Sequence, residues 1–319
     1  MERRSIRRLI GGLALAGSAA AVPALIHLLV RRQARPPHSP RWGRSHRFAG
    51  KLGPIVFQEL GDGEPLVLLH AFGPGYDSSQ WRAVAETLAA SHRVYVPDLP
   101  GWGRSETTLP HRGLYVESLT DFLTRVVRQP AVVCAAGLPA AYAFQIAAER
   151  PDLVRALALV SPEGLADSPD GLGKLVLRQL LGVPLLRVSI LDLLTSRPLL
   201  AHHLRREYAV PARADAAVLD HHYRVSHLPS TREALGAYLR GDLGAAGQAP
   251  SRLPVPAWLA TASSPRLPPA DPPELWLELL PHAHLESFAD AGGLPHAEVP
   301  IAFSRALSRF VTALPNPAG

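Results

Sequence analysis

Two histidines stand where this chain could do chemistry. His70 closes the apolar run PLVLLH, and His296 lies in Gly292-Gly293-Leu294-Pro295-His296-Ala297-Glu298 near the C-terminus. If the fold brings them together they would polarise a water or a bound group. Each also has a simpler role, hydrogen bonding within its loop for His70 and capping a helix for His296. Glu163 follows the run LALVSP, where a carboxylate serves most simply as a hydrogen-bonding group in a loop or at a pocket edge. The lone Cys134 lies inside AVVCAA, which favours a buried, inert thiol. A single cysteine also excludes an intramolecular disulfide framework and every multi-cysteine zinc site. Five more histidines gather in one stretch as His202-His203, His221-His222 and His227. Neighbours at i and i+1 on a helix do not face one another, so neither pair can give two ligands to one ion; they read as solvated or packing side chains, with no metal site. No G-x-G-x-x-G follows a strand, so the sequence names no cofactor.

The elements that must position these residues follow a regular rhythm. GPIVFQEL alternates, ends in Gly61-Asp62-Gly63 and gives way to the continuous PLVLLH, the pattern of a hairpin entering a buried strand. A helix near residues 81–90, the strand RVYVPD, a Gly-rich loop and an amphipathic helix near 115–128 come next. AVVCAA then runs straight into a helix over 139–148 that stops before Pro151, and LALVSP is another strand. Strands alternating with helices imply βαβ units and a mostly parallel sheet. Residues 165–250 are Leu-rich and helical without strands, an inserted cap that covers the sheet edge and pocket or, alternatively, offers a lipid-binding surface. The rhythm resumes with VPAWLAT, a helix near 272–280, AHLESF and a last helix over 300–313. Asp271-Pro272-Pro273-Glu274 reads as the start of the first of those helices, with Asp271 as N-cap. The α/β core is thus 46–164 plus 251–315, interrupted by the cap.

Composition supports a globular protein: 319 residues, 47% hydrophobic and 19% charged. The net charge of +6 is unevenly placed, because residues 1–47 hold ten Arg and one Glu, leaving 23 basic against 26 acidic residues in the rest. Nucleic-acid binding by the folded part therefore has no electrostatic footprint. Residues 9–30 carry no formal charge and are bracketed by Arg7-Arg8 and Arg31-Arg32. As a helix rising about 1.5 Å per residue they would span roughly 33 Å, close to the hydrocarbon core of a bilayer. Residues 1–32 are expected to be an N-terminal transmembrane anchor of undecided orientation, with residues 33–45 a basic, Pro-containing stalk. The rival is an export signal removed by cleavage, since small residues at Ala19 to Ala21 follow an Arg-rich start.

The ordered motifs resemble the α/β-hydrolase fold family. His70-Ala71-Phe72-Gly73 resembles its H-G-x-G segment, and Asp98-Leu99-Pro100-Gly101-Trp102-Gly103-Arg104-Ser105 its D-x-x-G-x-G-x-S loop. The strand, turn and helix from Val132 to Pro151 resemble the nucleophile region, and Gly292 to Glu298 the late histidine loop, usually G-H-x-x-H-x-E. The resemblance covers about residues 45 to 315 and implies a mostly parallel sheet flanked by helices, with an inserted helical cap. It also implies a triad, with the nucleophile inside G-x-S-x-G on a sharp strand-to-helix turn. Here that turn reads Ala135-Ala136-Gly137-Leu138-Pro139, the acid position falls at Pro265 and the histidine position at Gly293. Glu163 stands where some relatives relocate the acid.

Removing a triad costs on the order of a million-fold in rate, about 8 kcal/mol of transition-state stabilisation. The expectation is a membrane-anchored, non-catalytic or catalytically weak member. Its pocket, lined by His70, Phe72, Leu138, Glu163 and His296, would bind a small apolar ligand with a carbonyl or carboxylate against the Phe72 and Leu138 amides. The alternatives are an active ester or lipid hydrolase with non-standard catalytic residues, and a membrane scaffold with a filled pocket and an exposed apolar patch. Nothing in the sequence names a protein partner.

Overall fold

The computed structural model describes residues 42–107, 110–165, 172–244, 253–263 and 271–315. β1 (Arg44–Gly50) and β2 (Gly53–Leu60) form an antiparallel hairpin closed between Gly50 and Gly53. Gly53 turns at φ 133°, a conformation open to a residue without Cβ. Arg44 and Ser45, the last residues of the stretch read as a stalk, already pair with Glu59 and Gln58.

β3 (Glu64–Leu69) does not form the hairpin with β2 that the alternation and the Gly-Asp-Gly turn predict. It lies between β4 (His92–Pro97) and β5 (Ala131–Ala136), parallel to both, while β2 joins the far side of β4 antiparallel. The reason is burial: Leu66, Val67, Leu68 and Leu69 are all buried, and a strand apolar on both faces belongs in the sheet interior. β6 (Val154–Val160), β7 (Ala257–Ala262) and β8 (Ala283–Phe288) continue the parallel part, giving the order β1-β2-β4-β3-β5-β6-β7-β8.

In chain order the helices are α1 (Arg82–Leu88), α2 (Arg112–Phe122), α3 (Pro139–Glu149), α4 (Leu172–Gly182), α5 (Pro184–Leu194), α6 (Arg197–Glu207), α7 (Ala216–Ser226), α8 (Pro229–Arg240), α9 (Pro273–Leu279), α10 (Pro295–Glu298) and α11 (Pro300–Thr312). Alternation sorts the central strands into two cores. Val67, Leu69, Val133, Ala135, Leu157 and Leu159 pack with Phe122 of α2, Phe144 of α3 and Trp276 of α9. Leu66, Leu68, Val132, Cys134, Ala156 and Ala158 pack on the other face with Val84 of α1 and Phe303 of α11. Cys134 is fully buried there, and burial pushes its thiol well above its ordinary pKa, the signature of an inert cysteine.

Helices α4 to α8 form the cap between β6 and β7. Two bonds tie it to the loop after β3: His221 Nε2 lies 3.1 Å from Asp77 Oδ1, and His222 Nδ1 2.8 Å from the Pro74 carbonyl oxygen. On the other side, the Tyr142 hydroxyl donates to the Leu243 carbonyl at 2.7 Å. Two sequence expectations need correction or restriction. Pro272, not Asp271, is the N-cap of α9, because two successive prolines move the first helical turn one residue on. Asp271 is buried instead and accepts from the Leu165 amide at 2.7 Å and the Trp276 indole at 3.2 Å. Among the described residues no helix is long and apolar enough to cross a membrane; the run 9–30 lies outside them.

Candidate functional site

The sharp turn between β5 and α3 falls at Gly137, whose φ is 62°. Pro139 starts the helix at a position where its missing N–H costs nothing. The turn is fixed on two sides: the Gly137 amide donates to the Val160 carbonyl at 3.0 Å, and the Glu163 amide donates to the Gly137 carbonyl at 3.2 Å. A Cβ at 137 would meet Ala71 Cβ at 3.2 Å and Glu163 Oε1 at 3.7 Å. Gly137 lines a cavity of about 660 Å³ under the cap, at the C-terminal ends of the parallel strands. The Phe72 and Leu138 amides beside it donate to no acceptor among the described residues.

Of the pocket residues expected from sequence, Phe72 and Glu163 line this cavity, whereas His70, Leu138 and His296 do not. The fully buried His70 is held within its own loop region. Its Nε2 accepts from the Leu99 amide at 3.0 Å, so Nδ1 carries the proton and donates to the Ala71 carbonyl at 2.8 Å. His296 sits in α10 with its ring stacked 3.8 Å from Trp81 and neither ring nitrogen hydrogen-bonded. Burial brings its pKa down to about 3, so the ring is neutral. No hydroxyl or thiol among the described residues bonds to either ring, and neither ring lines the cavity. Pro265 lies outside the described residues.

The cavity also holds residues that no motif singles out. Glu207, the last residue of α6, reaches the loop after β8, and its carbonyl accepts from the Gly293 amide at 3.1 Å. That approach needs glycine twice. A Cβ at 292 would lie 1.9 Å from the Glu207 carbonyl oxygen, and a Cβ at 293 would lie 3.2 Å from Glu207 Cγ and 3.4 Å from Oε1. Tyr76 donates its hydroxyl to Glu207 Oε1, while Oε2 makes no hydrogen bond and has His203 Nε2 at 3.6 Å. Burial raises the Glu207 carboxyl to about 7 against the opposing bond from Tyr76. A second pair lies nearer Gly137, where the Tyr238 hydroxyl donates to Glu163 Oε2 at 3.1 Å.

The cap histidines divide by role. His202 and His203 line the cavity, and His221, His222 and His227 bond to Asp77, the Pro74 carbonyl and the Tyr223 carbonyl. Among the described residues no three of His, Cys, Asp and Glu converge on a point where a metal ion would sit.

The stretch from β3 into α5, residues 64–189, matches the family model described as alpha/beta hydrolase fold. Over that stretch, less than half of its length, the chain is similar to the α/β-hydrolase fold family, and it has that family's fold. Among curated proteins, the chain is 30% identical over 135 residues to a 2-hydroxymuconate semialdehyde hydrolase of Pseudomonas sp. (strain CF600). That match takes in 41% of the chain and 47% of the relative, so it spans about half the relative's length. Among solved structures, Cfl2 from Burkholderia cenocepacia superposes with TM-score 0.70 at 25% identity, over 86% of this chain and 99% of that one. A membrane phospholipase A described as a bacterial virulence factor superposes with TM-score 0.69 at 18% identity, over 98% and 99%, a likeness of fold.

Proposed function

We propose that this α/β-hydrolase-fold chain binds a small apolar ligand in the cavity above Gly137, without hydrolysing it by the family's usual route, and that residues 9–30 tether it to a membrane. What carries the reading is the filling of the places a triad would need. The turn that should present a nucleophile is Gly137, and the loop that should present the histidine is Gly293, with the Glu207 side chain packed against it. A cavity of about 660 Å³ remains open beside them, walled by Leu194, Leu199, Leu235, Leu239 and Leu294. The scaffold alternative requires a filled pocket, which this open cavity argues against. Phe72, which lines the cavity, offers its amide to a ligand carbonyl, whereas a ligand carboxylate would meet Glu163, Glu207 and Asp271.

A second reading, ester hydrolysis by other residues, has specific support. The curated relative is named a hydrolase, and Ser161 lines the cavity in the left-handed region at φ 41°. Turnover of short- and long-chain esters separates the two. The binding reading expects none above the buffer rate, with ligand retained; turnover abolished by Ser161→Ala would establish hydrolysis. The tether is tested by fractionation. The full chain should stay with membranes through an alkaline wash and be released when residues 1–32 are deleted, whereas a mature protein starting beyond Ala21 would show a cleaved signal.

A further inference from the structure

The first three helices of the cap expose apolar side chains that the core does not use. Among the described residues eleven large apolar side chains are exposed, and seven of them lie in α4 to α6, with Leu193 at 61% and Val176 at 49%. A concentration of that kind marks a contact surface. It borders the cavity: Leu193 adjoins Leu194, which lines the cavity, and Leu199 and His202 of α6 are exposed and line it as well.

The same stretch is basic. Residues 172–206 hold Lys174, Arg178, Arg187, Arg197, Arg205 and Arg206 against one acidic residue, Asp192, in a folded part that is otherwise acidic. Arg187 and Arg197 pair outside the stretch, with Glu233 and Asp220. Arg178, Arg205 and Arg206 are exposed and form no ion pair among the described residues. Spacings of three and four residues on α6 put Arg205 and Arg206 on the stripe of His202 and Leu199 at the cavity mouth.

We infer that α4 to α6 rest on the surface of an anionic lipid bilayer, the leucines and valines at the acyl boundary, the arginines among the headgroups and the cavity mouth turned towards the lipid. Exposed apolar area beside unpaired basic residues is the composition that binds such an interface. Charge selects this occupant over two others. A second copy meeting this face through a two-fold axis would set basic against basic, and the N-terminal segment, with ten Arg and one Glu in residues 1–47, meets the same repulsion. The inference goes beyond the binding reading and stands without it, because it concerns the outside of the cap.

The test labels the full chain with a fluorophore at Leu193→Cys or, as control, at Thr87→Cys. Thr87 is exposed near the end of α1, which leads to the start of β4, the end of the sheet opposite the cavity. Neither position is in the core, and the buried Cys134 stays unlabelled. The probes are vesicles of phosphatidylcholine, with and without phosphatidylglycerol, carrying brominated acyl chains as quencher. With phosphatidylglycerol, quenching at position 193 should exceed that at position 87 at least about twofold; the excess should fall by about half or more in phosphatidylcholine alone, and likewise when Arg178→Gln, Arg205→Gln and Arg206→Gln are combined. Equal quenching at the two positions, or an excess indifferent to both lipid charge and the three arginines, overturns the inference. So does a label at 193 that is shielded from aqueous iodide yet unquenched by lipid, since protein would then cover the face. A chain that sediments with the vesicles while position 193 stays unquenched overturns the surface and leaves the tether at residues 9–30 standing.

Discussion

The stability of this protein should fall between pH 4.5 and 7 because of one carboxyl, and Glu207→Gln should abolish that fall. An ordinary glutamate titrates near 4.5, whereas Glu207 is raised to about 7, mainly by burial. In that window the folded state holds a proton that the unfolded state has released, so stability declines as pH rises and levels off above pH 7. At about 1.4 kcal/mol per tenfold change in proton affinity, the ionised form costs the folded state about 3 kcal/mol. With its side chain 11% exposed, solvent screening reduces this little. Glutamine resembles the protonated acid. Its amide oxygen accepts from the Tyr76 hydroxyl, and its nitrogen, like the acid O–H, is left without a partner. The variant should therefore match the wild type below pH 4.5 and exceed it by about 2 to 3 kcal/mol above pH 7. Urea unfolding of both proteins across that range gives the difference directly. A difference that stays constant with pH, or a wild type more stable at pH 8, would refute the assignment of a raised carboxyl to position 207.

Four further outcomes follow from single contacts. Gly292→Ala places a methyl 1.9 Å from the Glu207 carbonyl oxygen, so it should cost about 3 kcal/mol or more and expose α6 to protease; an unchanged melting temperature would show that this approach does not exist. Gly137→Ser introduces a side chain at φ 62° and 3.2 Å from Ala71 Cβ. It should lose about 1–2 kcal/mol and gain no ester turnover, since among the described residues no histidine bonds at the turn, and turnover would reveal an unseen base. Burial opposes the charged forms of Asp77 and His221, but each holds the other charged, so Asp77 is lowered and His221 raised. The Asp77 contribution is present above its ordinary 3.8 and the His221 contribution below its ordinary 6.5, lost as pH rises through the raised value. Intrinsic-rate-corrected amide exchange in α7 should therefore quicken above about pH 6.5, and not in His221→Phe. His296→Leu exchanges two unbonded ring nitrogens for an apolar group against Trp81; stability should change by no more than about 1 kcal/mol, and a larger loss would expose a polar partner for the ring.

The sheet and the cap were legible because their signals are periodic. PLVLLH and AVVCAA are apolar on both faces, and the absence of strands from the Leu-rich stretch marks the insertion between β6 and β7. The pairing of β2 was not legible, because alternation tells which face of a strand is buried and not which neighbour it meets. The turn at Gly137 could be located by counting from Pro151, since a helix of known rise fixes the offset. The residues that define the cavity could not be. Tyr76 and Glu207 are 131 positions apart and meet only because the cap folds back. Histidines drew attention by type, yet His70 and His296 are consumed by a loop and an aromatic stack.

The glycines at 292 and 293 tie the loop after β8 to the cap. At 292 no side chain fits while α6 ends where it does, and at 293 any side chain contests the space of Glu207. A histidine at 293 would therefore have to move the Glu207 side chain away from Tyr76. Its carboxyl would then need another partner in a site where burial already raises it to about 7. A glycine at 293 and close docking of the cap therefore go together. Placing a serine at 137 and a histidine at 293 would accordingly need Glu207 altered with them, and the cost of any one change alone would be read first in how firmly the cap is held.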